Sequence, residues 1–575
     1  MRSKTDRWVG MMALAAVGAI GAIGTIGAIG AIGISGASLV AQVPTLPASP
    51  GVPNAPVITM QDLADGLKNP SRWLTYSGDY TGQRHSPLKQ VTASNVNQLT
   101  AQWTFQNGVS LPGQKFETTP LVVDGVLYAT GALNYAWAID GRTGKQLWRY
   151  QYQLPPQQTL KVCCGLVNRG FAIHGDRLFM TTLDAHLVAL DTRTGKAVWH
   201  VKLADYQQGY ASTVAPLIVK DKVIVGIAGG EYAIRGFLDA YDPKDGKQIW
   251  RFWTVPAPGE PGSETWPKEI DSWARGGGPT WQTGTYDPDL NLIYWGTGNP
   301  NPDFYGADRS GDNLYTNSLV ALDADTGTLK WHFQFTPHDE HDWDANQVPV
   351  LADLNIAGRS RKVVMIANRN GFFYVLDRAT GQYINAKPFI RTTWAKEIAG
   401  SGRPIEEPNQ RPTAEGTTTC PDLFGGTNFM PPSFDASTGL FFVTSRETCQ
   451  VYITAKPPEG YKAGDRTMGG TIRAAPERGY GALRAIDAAT GDRKWEVRHP
   501  TTSWAGVLST AGGVVFSGTN EGEVFAADSR TGKELWRYML GAPLYTAPVT
   551  YMIGDRQYVT IAAGTTIASF ALPQR

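Results

Sequence analysis

With 575 residues, 42% of them hydrophobic, the chain can bury a large core, and its 64 glycines and 18 tryptophans suit many tight turns and repeated aromatic packing. Its 52 basic and 51 acidic residues nearly cancel, and no basic cluster stands out. Nothing in that balance points to nucleic acid or an anionic membrane surface as a partner.

The first forty residues differ from the rest. "MRSKTDRWVG" carries Arg2, Lys4 and Arg7 and leads into an Ala/Gly/Ile run that stays uncharged past Val40. This reads as a secretory signal over residues 1–41 with a small-residue exit near Ala41, a retained N-terminal anchor being the alternative. The run has no cysteine, which excludes a lipoprotein anchor, and no later stretch approaches the roughly 20 apolar residues that span a bilayer. Export fits four cysteines able to form two bridges. Pairing Cys163 with Cys164 and Cys420 with Cys449 closes locally, although neighbouring cysteines rarely bond because disulfide geometry is narrow. The other pairings tie distant segments together.

Residues 42–575 read as one domain built on a repeat. Ala-x-Asp-x-x-x-Gly-x-x-x-Trp runs from Ala138 to Trp148, Ala189 to Trp199, Ala240 to Trp250, Ala321 to Trp331, Ala485 to Trp495 and Ala526 to Trp536. A degenerate seventh copy starts at Val375 and has Asn385 in the tryptophan position, and Trp103 ends an eighth copy whose start lies elsewhere. In each copy an apolar strand such as "HLVAL" ends at an Asp-x-x-Thr-Gly turn, where Asp caps backbone donors and Gly supplies positive φ. A second strand then delivers the tryptophan. Upstream runs such as "PLIVKDKVIVGIA" are strand–turn–strand units, giving about four antiparallel strands per repeat. The expected fold is an all-β, eight-bladed propeller whose tryptophans staple neighbouring blades together. "RWLTYSGDYTGQRHSPL" precedes the first full blade, and the two termini are expected to complete one blade jointly. Residues 385–485 exceed one blade, and Arg403 to Thr419 reads as a long loop on one face.

Five segments break the repeat. They are "KVCCGLVNRG" with Cys163, Cys164 and Arg169; "GIAGGEYAIRG" with Glu231; "RGGGPTWQTGTY" with Trp281; "WGTGNPNPDF" with Asn299; and "PHDEHDWDANQ" with Asp342 and Asp344. Glu, Asn and Asp are hard oxygen ligands suited to a highly charged cation. The triple glycine 276–278 lets backbone approach something closely. Together these segments resemble the quinoprotein alcohol dehydrogenases, propeller enzymes that use pyrroloquinoline quinone (PQQ). The resemblance spans nearly all of the mature chain.

It implies that Cys163–Cys164 is a vicinal disulfide forming one wall over the quinone, with Trp281 as the other. Glu117, Arg169, Thr213, Ala228, Gly229 and Gly230, with Asn428 and Trp504, match positions that hold PQQ. Phe429 follows Asn428 where many members have Trp. Glu231, Asn299 and Asp342 match metal ligands, Asp342 also matches the catalytic base, and Arg369 matches the arginine that bonds both quinone and base. His341 replaces a tryptophan without changing the spacing. In this family Asp344 marks enzymes that use a lanthanide, so the resemblance favours a lanthanide(III) ion over Ca²⁺. The implied reaction is oxidation of small primary alcohols by hydride transfer to PQQ in the periplasm, with the "GDNLYTNSLVALD" region closer to the ethanol branch than to the methanol branch. With no Cys-x-x-Cys-His in the sequence, electrons are expected to leave to a separate soluble c-type cytochrome. Homodimerisation stays open. The competing readings are a non-catalytic eight-bladed propeller of the outer-membrane assembly type, which would lack the cysteine pair and acidic centre, and a quinoprotein dehydrogenase for another polyol or sugar.

Overall fold

Each copy of the repeat folds as the hinge between the third and fourth strands of an antiparallel sheet. In the computed structural model, which describes residues 51–109 and 113–574, Tyr135–Asp140 turns into Gln146–Gln151. Asp140 Oδ1 accepts the backbone N–H groups of Arg142 and Thr143 and the Thr143 hydroxyl. Ala138 pairs with Trp148, and the register then slips so that Ile139 faces Gln146. The same slip recurs at Ala189, Ala240, Ala321, Val375, Ala485 and Ala526. The bulge re-aims the outer strand. It also explains the motif alanine, whose small side chain lies beside the indole.

Each indole then packs on the turn of the next repeat. Trp148 donates through Nε1 to Thr192 O at 2.9 Å, and a Cβ on Gly195 (φ +68°) would lie 2.6 Å from its ring. Trp103 repeats this on Gly141 and Gly144, and Trp495 on Ser529 and Gly532. Trp199, Trp250 and Trp331 cover Gly246, Gly327 and Gly381 by packing alone. Asn385 substitutes an amide bond to Thr490 O at 3.0 Å. Trp536 Nε1 reaches Leu99 O at 3.2 Å, at the edge of the strand Thr100–Gln106. Trp148→Ala is expected to cost about 3–5 kcal/mol, the usual range for emptying a buried aromatic site, read as a lower urea midpoint. A change below about 0.5 kcal/mol would deny the indole its stapling role.

Among the described residues there are eight sheets built on four antiparallel strands. Strands between neighbouring sheets are buried on both faces, which is why Leu187, Val188, Ala189 and Leu190 form an uninterrupted apolar run. The fold is an all-β propeller. Thr100–Gln106 pairs with Thr566–Ala571 at Trp103↔Ser569, so the start of the eighth copy lies in the last strand and the two ends of the fold complete one sheet. The stretch before it does something else. Arg72–Trp73 adds a strand beside Leu121–Val123, and His85–Ser86 adds a parallel strand beside Leu508–Thr510.

Within the extra chain at 385–485, the long loop expected over Arg403 to Thr419 is strand at both ends and irregular only between them. Pro404–Glu406 pairs with Ala395–Ile398, and Thr417–Thr419 joins Gln450–Thr454 and Gly470–Ala474 in a small sheet. Cys420–Cys449 sits at the end of that sheet, and both expected disulfides are formed. The described residues fall within one compact unit, Ser49–Arg575, and include no helix long and apolar enough to cross a membrane. The proposed signal, residues 1–41, lies outside the described residues.

Candidate active site

In an antiparallel hairpin the start of the first strand and the end of the second lie at the same end. Glu117, Arg169, Thr213, Trp281, Asp342, Asp344, Asn428 and Trp504 all precede first strands, and Glu231, Asn299 and Arg369 all follow second strands. The topology therefore collects them on one face. They converge on a cavity of about 430 Å³ lined by all of this set except Asn299, whose side chain packs behind Gly230, together with Cys163, Cys164 and the backbone at 228–230. That volume lies within the usual range for small-molecule and cofactor sites.

One side of the cavity is a cationic and aromatic frame. Arg169 donates through Nη1 to Thr213 Oγ1 at 2.6 Å, and its guanidinium lies 4.8 Å from the Trp281 ring centre. Its Nη2 is 2.9 Å from Glu117 Oε2, close enough for an ion pair but off the hydrogen-bonding direction, which leaves that buried oxygen without a donor. Lys115 holds the other Glu117 oxygen at 3.1 Å. Trp504 stacks on Phe429 (5.6 Å, 8°) and on Tyr545 (6.1 Å, 17°). Asn428 spends its amide locally, donating to Phe424 O and accepting from the Phe429 N–H. Phe429 thus takes a structural place beside Trp504, and Asn428, which lines the cavity, keeps one amide N–H beyond the bond to Phe424.

The other side is acidic. Asp344 Oδ1 accepts the Asn299 N–H at 2.8 Å, while Oδ2 accepts Trp281 Nε1 at 3.0 Å and Arg369 Nη1 at 2.5 Å. The Asn299 loop reaches it because Gly298 has no Cβ, an atom that would meet Asp344 Oδ1 at 2.2 Å. The triple glycine serves the same loop: Gly278 N donates to Asn299 O, and a Cβ on Gly277 would strike that oxygen. The close approach it permits is to protein backbone. Asp342 sits at φ +60°, in the left-handed region that Asp tolerates better than most residues. Its Oδ1 lies 3.7 Å from Arg369 Nη1 and, though buried, has no hydrogen-bond partner.

Burial raises the Asp342 carboxyl well above the usual carboxylate range; Arg369 opposes the rise, and Asp344, Asp303 and Glu231 add to it. Burial likewise raises Asp344 and Glu231. Several carboxylates therefore share one directly contacting guanidinium, an arrangement that calls for a further cation. The orphaned Asp342 oxygen and these hard donors fit a metal ion. Arg169, Lys115 and Thr213, set beside flat aromatic faces, fit an anionic planar cofactor such as PQQ. The sulfurs of Cys163 and Cys164 lie within 4.8 Å of a Glu231 oxygen. Being joined in a disulfide, they cap the acidic side and do not act as ligands.

Sequence reasoning missed Asp303, which is fully buried beside Asn299, as well as Phe424, Tyr545, Arg466 and Met468 in the lining. Asp303 stands inside the quoted "NPNPDF", but a single Asp after Pro-Asn-Pro gives no local signal of burial. His341 stacks on Trp343 at 4.2 Å (9°) and bonds Gln410 O, so it fills the replaced tryptophan's place as a flat packing group.

A family model for the glucose/ethanol/alcohol dehydrogenase β-propeller domain that uses PQQ matches residues 73–387 and 478–559. The chain is 39% identical to the quinoprotein alcohol dehydrogenase PedH of Pseudomonas putida over 88% of each chain. It is 38% identical to the lanthanide-dependent methanol dehydrogenase of Methylacidiphilum fumariolicum over 86% of this chain and 85% of that one. A solved europium-containing methanol dehydrogenase superposes with a TM-score of 0.83 at 34% identity, covering 89% of this chain and 100% of that one. The quinohemoprotein alcohol dehydrogenase of Comamonas testosteroni gives 0.82 at 34%, covering 88% and 82%. The chain therefore belongs to the PQQ-dependent glucose/ethanol/alcohol dehydrogenase family of β-propellers.

Proposed function

We propose that this protein is an exported, PQQ- and metal-dependent dehydrogenase that oxidises small primary alcohols to aldehydes and passes electrons to a separate soluble c-type cytochrome. The observation that carries this reading is the buried Asp342 carboxylate in the cavity lining, whose Oδ1 lies 3.7 Å from Arg369 Nη1 without a hydrogen-bond donor. When bound, PQQ supplies a two-electron acceptor and the metal ion supplies Lewis acidity.

The chain's own residues do the rest. Asp342 Oδ1 accepts the alcohol's hydroxyl proton as general base. Arg369, 3.7 Å away, favours the ionised carboxylate needed for that role. Arg169, Thr213 and Glu117 hold the cofactor's polar rim, with the backbone at Ala228, Gly229 and Gly230 and the side chains of Asn428 and Trp504. Trp281 and the Cys163–Cys164 disulfide act as flat walls that fix its orientation. Glu231, Asn299, Asp342 and Asp344 hold the ion.

A lanthanide(III) ion is favoured over Ca²⁺, because a trivalent ion gains from a third anionic side chain, Asp344 beside Glu231 and Asp342, that Ca²⁺ does not need. The domain is read as residues 42–575 behind a cleaved signal, working in the periplasm, with homodimerisation compatible. Eight blades are proposed on the strength of the eight inter-repeat links that run from Trp103 round to Trp536 and Leu99. Purified metal-free protein given PQQ with La³⁺ or Ca²⁺ is expected to show dye-linked ethanol oxidation, higher with La³⁺. Full activity with Ca²⁺ and none with La³⁺ would refute the assignment of Asp344.

A further inference from the structure

The fold buries Asp303 without a direct ion-pair partner: Arg309 acts on it only at a distance, while Glu231 and Asp344 oppose its charge. The residue is 0% exposed. Oδ1 accepts the Asn299 amide Nδ2 at 2.8 Å, while Oδ2 is buried with no partner. Arg309, the buried guanidinium six residues on, is turned to other acceptors: the carbonyls of Pro302 and Asp339 and the side-chain oxygen of Asn313. A buried carboxylate with no direct ion-pair partner is strongly unfavourable, and a cation held in the adjoining acidic cluster would complete it.

Its hydrogen bond also fixes which way Asn299 points. Nδ2 is engaged by Asp303 and by Pro300 O at 3.2 Å, leaving Oδ1 as the outward end. That oxygen lies against Gly230, where a Cβ would sit 2.8 Å from it, next to Glu231. The Asn299 N–H meanwhile holds Asp344. Asp303 is therefore linked through one residue, Asn299, to both ends of the acidic cluster, by its side chain toward Glu231 and its backbone N–H to Asp344.

We propose that Asp303 is a positioning residue of the metal centre, locking the Asn299 amide with its oxygen toward the ion and adding a buried negative charge that favours a trivalent over a divalent cation. This rests on the metal-binding reading above. Coulomb energy scales with the product of charges, so each added anion favours a trivalent ion half as much again as a divalent one at the same distance.

The test uses PQQ-loaded protein stripped of metal with a chelator. It is titrated with Tb³⁺, read by luminescence sensitised through the cavity tryptophans, and with Ca²⁺ by calorimetry. Asp303→Asn keeps an acceptor for Asn299 but removes the charge, and is expected to lower the Tb³⁺/Ca²⁺ affinity ratio about tenfold or more. Asp303→Glu is expected to recover most of that ratio. If Asp303→Asn does not fold, Asp303→Ser, whose hydroxyl still accepts from Asn299, reads the same quantity. An unchanged ratio in a folded variant, including an equal loss for both ions, overturns the proposal. Glu231→Gln separates the two levels: if it too leaves both affinities unchanged, the metal-site reading itself is wrong.

Discussion

Replacing Asp342 with asparagine is expected to lower kcat for ethanol by about 10³-fold, within the range that general-base catalysis contributes, while PQQ and metal remain bound. Asparagine is the informative substitution for two reasons. It is close to isosteric, and it tolerates the φ of +60° at this position at least as well as Asp does. What it lacks is a carboxylate oxygen able to take a proton. That oxygen has no hydrogen-bond donor to lose, and Arg369 keeps its shorter contact to Asp344. The expected pattern is a fall in kcat with KM changed far less. Retained turnover would remove Asp342 from the base role.

Replacing Arg369 with methionine is expected to have its largest effect on the metal-free protein. Arg369 directly contacts Asp344 at 2.5 Å and Asp342 at 3.7 Å, and all three side chains are buried. Deleting one partner of a buried ion pair costs about 3–5 kcal/mol because the remaining charge is stranded. A bound cation supplies the missing counter-charge, so the urea midpoint of the metal-loaded variant should recover much of the loss. Activity should stay low, since the guanidinium beside the base is gone. An equal loss of stability with and without metal would mean that Arg369 serves packing and not charge balance.

Much of the fold was legible because its information is local. The spacing from Asp140 to Gly144 to Trp148 encodes a capped turn, a positive φ and a staple within nine residues, and the same spacing recurs along the chain. What stayed hidden is non-local. Arg72–Trp73 and His85–Ser86 are two-residue strands, too short to carry a period, and they join sheets far away in the chain. The motif alanine also gave no reason for itself until the bulge placed it beside the indole. In the site, Cys163–Cys164, Trp281 and the Asp342–Asp344 segment stood out because they break the repeat. Asp303 did not, since an aspartate among prolines reads as a loop residue until the surrounding loops bury it. Nor could the sequence reveal that Gly277 and Gly278 serve the Asn299 loop.

The most direct measurement is a single turnover without any dye. PQQ- and La³⁺-loaded protein is mixed anaerobically with ethanol while the quinone absorbance is followed. The wild-type protein is expected to lose the oxidised-quinone band as acetaldehyde forms in equal amount, and the Asp342→Asn protein with the same PQQ content to keep it on that timescale. Acetaldehyde formed with the quinone spectrum unchanged, or equal rates in the two proteins, would contradict alcohol oxidation at this site.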